Sequence, residues 1–120
     1  MSIKAIRGAV CLTADDATEM ADAVTELLTA MLDRNGITAS DLVSVLFTAT
    51  PDIHSGFPAA AARSVGLADV PLICAQELDV TGAMPMVIRT MMHAEMNVAR
   101  ADVKHVYLRG AEVLRQDIAQ

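Results

Sequence analysis

The stretch C-A-Q-E-L-D-V-T-G-A-M-P-M-V-I-R-T-M-M-H-A-E-M, Cys74 to Met96, decides how the rest of the chain is read. Its opening residues close an apolar run, Val70 to Gln76, that predicts a strand. Further on, apolar side chains at 84, 87, 88, 91 and 92 recur at helical spacing and predict a long helix over Met84 to Met96. The same stretch sets a thiol (Cys74), a carboxylate (Glu77) and a lone guanidinium (Arg89) in the most apolar part of the sequence. Buried unpaired, such charges are costly, so they call for a strong structural partner or a ligand.

Upstream, residues 2–12 alternate weakly and are rich in Ile, Ala and Val, which predicts a strand carrying another isolated cation, Arg7. Asp15 and Asp16 open a helix, with Glu19 placed as in a capping box. Met20, Ala23, Val24, Leu27, Leu28, Met31 and Leu32 form its apolar stripe, and Asn35-Gly36 its stop. Asp41 to Thr50 reads as a buried strand ended by Pro51-Asp52, and His54 to Pro58 as a loop leading into a short helix, Ala59 to Val65. Downstream, Lys104 to Leu108 predicts a strand, and Arg109-Gly110 a turn into Ala111 to Arg115. Strands and helices interleave, so the expected class is α/β: a mixed sheet in one domain spanning residues 1–120.

Hydrophobic residues make up 53% of the chain and aromatics only 2%, so the core must be aliphatic, with enough apolar surplus to cover a subunit interface. A net charge of −6 without any Lys/Arg cluster argues against nucleic acid as partner. No stretch approaches a membrane span, and the amino terminus lacks the apolar core of a signal peptide, which suits a cytoplasmic protein. Cys11 and Cys74 fit neither a zinc spacing nor a disulfide framework, and no metal is assigned.

Each candidate residue admits a plain structural role beside a chemical one. Arg7 suits a carboxylate, with Gly8 allowing close backbone approach, or else decorates an edge strand. Arg89 binds an anion or simply extends to water from an apolar element. Glu77 is a base, an acceptor for a substrate hydroxyl, or the partner of an arginine. Cys74 is a nucleophile or, more simply, a buried thiol. Tyr107 packs mid-strand or donates to a carboxylate, and Phe57 anchors a loop or lids a pocket. Combined, they describe a small apolar pocket with cations, a carboxylate and a phenol, and without an evident nucleophile–base pair, phosphate loop or metal. Such a site suits a reaction that needs only shape and electrostatics.

I-R-G-A (Ile6 to Ala9), T-A-T-P-D-I-H-S-G-F-P-A (Thr48 to Ala59), C-A-Q-E-L-D-V-T-G, I-R-T-M-M (Ile88 to Met92), H-V-Y-L (His105 to Leu108) and V-L-R (Val113 to Arg115) follow one another in order. With these motifs the chain resembles the monofunctional, trimeric AroH-type chorismate mutases from residue 3 to about residue 117. The resemblance implies a mixed sheet with helices on one face, a homotrimer forming a pseudo α/β-barrel, and active sites at its subunit interfaces. It implies an isomerase that converts chorismate to prephenate on the shikimate route to phenylalanine and tyrosine, with no cofactor and no covalent intermediate.

By its match to the family pattern, Arg89 would stabilise negative charge growing on the breaking ether oxygen. Glu77 would accept the ring hydroxyl, with Cys74 beside it. Arg7 and Tyr107 would hold a carboxylate, and Phe57, Ala59, Ile73 and Leu114 would shape the walls, Phe57 and Ala59 from the neighbouring subunit. Arg115 would lie in a carboxy-terminal tail that orders over ligand. Many relatives carry a lysine where this chain has Ala60, and Arg63, one turn later, is the candidate substitute. Ile73 stands where a small polar residue is common. Two other readings compete: a same-fold enamine/imine deaminase of the RidA kind, and a non-catalytic trimer that binds an aromatic metabolite.

Overall fold

Residues Val87–Met96 form a strand, not a helix. The structure, a computed structural model, describes residues 1–115. Within this strand Ile88, Thr90, Met92, Ala94 and Met96 are buried, while Arg89, Met91 and Glu95 are exposed, a period of two. Pairing on both edges overrides the helical spacing, because each neighbour supplies a ladder for the backbone amides.

The five-stranded sheet has the order β3-β2-β4-β1-β5. Central β4 (Val87–Met96) runs antiparallel to β1 (Ser2–Cys11) on one side and to β2 (Leu42–Ala49) on the other. The outer strands β3 (Leu72–Gln76) and β5 (Val106–Leu108) lie parallel to β2 and β1 respectively, so the sheet is mixed.

Helix α1 (Ala17–Arg34) starts where the Asp16 carboxylate accepts the Glu19 N–H at 2.8 Å. The Glu19 carboxylate turns back to Thr13 rather than to Asp16, accepting both its N–H and its hydroxyl. At the other end, Asn35 donates to the carbonyls of Met31 and Lys104 and accepts the Lys104 N–H, tying α1 to the approach of β5. Pro58 opens the short helix α2 (Pro58–Ala62), which widens into a turn over Arg63–Leu67 and breaks at Gly66, φ 104°.

The core lies between these helices and one face of the sheet, with Ile6, Val10, Leu27, Leu28, Met31, Val45, Phe47, Ile88 and Met92 fully or almost fully buried. Gly8 belongs to this packing: a Cβ there would stand 2.5 Å from Met31 Sδ and 3.1 Å from Thr90 Cγ2. Its missing side chain therefore serves the α1–sheet contact, while Gly8 itself also borders the cavity on the other face. On the opposite sheet face Ile3, Leu46, Ile73 and Met91 remain substantially exposed. Among the described residues, no helix is long and apolar enough to cross a membrane.

Candidate active site

Residues paired across neighbouring strands point to the same side of a sheet, so register alone assembles the site. Ala9 lies opposite Arg89 on one side and Tyr107 on the other; Arg7 lies opposite Met91, and Thr48 opposite Arg89. All of these belong to the face away from α1 and α2, where Ala9 and Tyr107 are buried with Val87 and Ala111. There Arg7, Thr48, Arg89, Tyr107 and Arg115 surround a cavity of about 380 Å³, with Leu46 and Met91 supplying apolar wall. That volume is in the range of small-molecule sites.

Glu77 follows the end of β3, where its N–H donates to the Ala49 carbonyl at 2.9 Å. Its Oε2 accepts from Arg89 Nε at 3.0 Å and from the Thr48 hydroxyl at 2.7 Å. The carboxylate is largely buried and the guanidinium nearly half exposed. The charged groups of the apolar stretch thus answer each other, and the ion pair uses only one of the five N–H donors on Arg89. Arg89 itself also lines the cavity.

Behind Arg7, its backbone N–H donates to His105 Nδ1 at 2.9 Å. Burial, and then the nearby charges of Arg7 and Arg115, hold His105 below its ordinary pKa, which favours the neutral ring this bond needs. Cys11 lies on the same face with its thiol 3.5 Å from Met84 Sδ. Burial, reinforced by Glu112 and opposed by Arg89, pushes that thiol up and keeps it protonated.

The T-A-T-P-D motif aims β4. Asp52 accepts the Met86 N–H at 3.0 Å and the Thr50 hydroxyl, and that hydroxyl accepts the Val87 N–H at 3.0 Å. Met86 is thereby held at φ 57°, directly before the strand that carries Arg89. In the following loop, Asp15 accepts the N–H groups of His54 and Ser55 at 2.9–3.0 Å.

Residues 3–118 match the model of the family described as chorismate mutase type I. The chain belongs to the type I chorismate mutase family. It is 39% identical to the chorismate mutase AroH of Bacillus subtilis, over 99% of this chain and 94% of the relative. It is 42% identical to the AroH of Thermus thermophilus, over 97% and 96% of the two chains. A chorismate mutase structure from Clostridium thermocellum superposes with a TM-score of 0.89 at 41% identity, covering 91% of this chain and 97% of that one. Such matches set the deaminase reading aside.

Of the residues expected from the type I mutase pattern, one chain brings together Arg7, Arg89, Tyr107 and Arg115 around the cavity, with Glu77 bonded to Arg89. Leu114 packs beside Tyr107, Val87 and Ala111. Ile73 is exposed on the open face, opposite Leu46. The rest lie elsewhere. Cys74 pairs with Phe47 and packs toward the helix side, because alternation along β3 turns it away from Arg89. Together with Phe57 it lines a separate cavity of about 220 Å³. Phe57 itself is 71% exposed, Ala59 is buried in the protein's own core, and Arg63 is exposed beyond α2. The tail past Arg115 lies outside the described residues.

Thr48, Leu46 and Met91 were not among the residues expected from sequence. Thr48 sits inside a quoted motif, but only the β2–β4 register reveals that it faces Arg89.

Proposed function

We propose that the protein is a chorismate mutase, an isomerase that rearranges chorismate to prephenate in aromatic amino acid biosynthesis. The observation carrying this reading is the Glu77–Arg89 pair, whose arginine shares one cavity with Arg7 and Tyr107. The reaction is intramolecular: an ether C–O bond breaks while a C–C bond forms, and no group leaves the molecule. The protein's task is to hold the compact conformer and to stabilise charge on the ether oxygen. Arg7 and Tyr107 hold one carboxylate, the outward fork of Arg89 meets the ether oxygen, and Glu77 Oε1 accepts the ring hydroxyl. Cys74 lines the same cavity as Phe57, and with it borders the side of the ring.

The proposal includes a cytoplasmic, single-domain homotrimer built on the open sheet face as a pseudo α/β-barrel. Its support is the apolar exposure of Ile3, Leu46, Ile73 and Met91, and the projecting Phe57. In this arrangement Phe57, the Ala59 backbone and Arg63 reach a neighbour's cavity. Arg63 lies three positions after the exposed Ala60 and offers the cation that a lysine at 60 would supply. Ile73 and Leu114 complete the walls, and Arg115 closes over the ligand.

The test is chorismate consumption followed by ultraviolet absorbance, with sedimentation to weigh the assembly against the 12.7 kDa chain. Arg89→Ala is expected to lower kcat by about 10²–10³ or more, the loss typical of a missing transition-state donor. A folded wild type that leaves chorismate intact would sink the proposal.

A further inference from the structure

The geometry points to Thr48 as a positioning residue for this rearrangement: by bonding Glu77 Oε2, its hydroxyl keeps Oε1 and the outer fork of Arg89 directed at the ligand. The inference rests on the chorismate reading. Thr48 and Arg89 are register partners on adjacent strands, and both donate to the same carboxylate oxygen, at 2.7 and 3.0 Å. Glu77 stands one residue past the end of β3, so the alternation of a strand no longer dictates where its side chain points. Two donors from rigid strands, converging on one oxygen, supply that constraint.

Without the hydroxyl, the nearest stable arrangement of a carboxylate beside a guanidinium is the bidentate fork, with both oxygens on two nitrogens. In this site that collapse would be harmful. It would draw Oε1 away from the ring hydroxyl and turn an Nη–H away from the ether oxygen, removing an acceptor and a donor together. Thr48 prevents it by holding Oε2 with a second donor from β2, the strand between β3 and β4, with the β-branched side chain limiting rotation about χ1. Its position on the cavity wall keeps this bond within reach of the ligand. Loss of the constraint acts on interactions that strengthen in the transition state, so it should appear in kcat more than in KM.

The experiment compares wild type, Thr48→Val and Thr48→Ser in chorismate turnover, thermal unfolding and the NMR resonance of the Arg89 Nε–H. Thr48→Val, similar in shape, is expected to lower kcat about tenfold with KM changed less than about twofold, and to shift the Arg89 resonance. Thr48→Ser, which restores the hydroxyl, recovers most of the rate and the wild-type resonance. An active wild type matched by Thr48→Val, in rate and resonance, overturns the positioning role alone. Equal losses in both variants with lowered unfolding midpoints overturn it too, as a packing effect. A wild type without turnover overturns the chorismate reading, and the positioning role with it.

Discussion

Neighbouring residues of β1 serve opposite sides of the sheet. Arg7 reaches the cavity, while Gly8 accepts the sulfur of Met31 where a side chain would stand. Gly8→Ala would therefore overpack the α1–sheet contact and destabilise the fold by about 1–3 kcal/mol, moderated by the flexibility of Met31. Chemical denaturation reads the loss, and the Michaelis constant of folded Gly8→Ala should stay near that of wild type. An unchanged unfolding midpoint would contradict the packing role. Asp15 shows the same economy at a loop. Its carboxyl is held below the ordinary value of 3.8, chiefly by the His54 N–H and further by Ser55. Because the folded pKa is depressed, this stabilisation is present above about pH 4 and is lost as pH falls through the folded value. Asp15→Asn should flatten the acid limb of a stability–pH curve, measured by thermal unfolding between neutral and acidic pH.

At the scale of elements, α2 and the turn after it carry the departure from the family pattern. If Arg63 supplies the cation missing at Ala60, Arg63→Ala should raise KM about tenfold with a smaller change in kcat, and adding Ala60→Lys should recover much of the loss. Steady-state kinetics on the single and double variants checks this, and failure of the lysine to rescue would show that the position no longer faces the ligand. Strands β1 and β2, helix α1 and the proline-opened α2 were all legible in the sequence, since caps, stops and apolar runs agreed locally. The exception was β4. Its apolar set at 84, 87, 88, 91 and 92 fits a helix because Met91 is apolar on the outward face and Thr90 polar on the inward one. The first irregularity has structural meaning: the outward face is a cavity wall rather than a solvated surface, so clean alternation is lost. Arg89 and Glu77 could be picked out as lone charges in apolar sequence. Thr48 could not, because its importance comes from register with β4, whose apolar spacing predicts a helix.

Across the whole molecule, positive charge gathers where the net charge of −6 would not suggest it. Beside the cavity lies a groove of about 640 Å³ lined by Lys4, Arg7, Arg100 and His105, sharing Arg7 and Met91 with the cavity itself. For a substrate bearing two carboxylates this region is an attractive approach. The apparent rate constant kcat/KM should fall severalfold from about 0.01 to 0.15 M salt, with kcat nearly constant. A double variant, Lys4→Gln with Arg100→Gln, should flatten that dependence; stopped-flow or initial rates across a salt series decide it. One feature reaches beyond chemistry. Core and cavity are written on alternate letters of the same two strands: Gly8, Ile88 and Met92 on one side, Arg7, Arg89 and Met91 on the other. A change in one set of letters therefore leaves the other face of the sheet largely in place. The scaffold keeps two separate ledgers in one sheet.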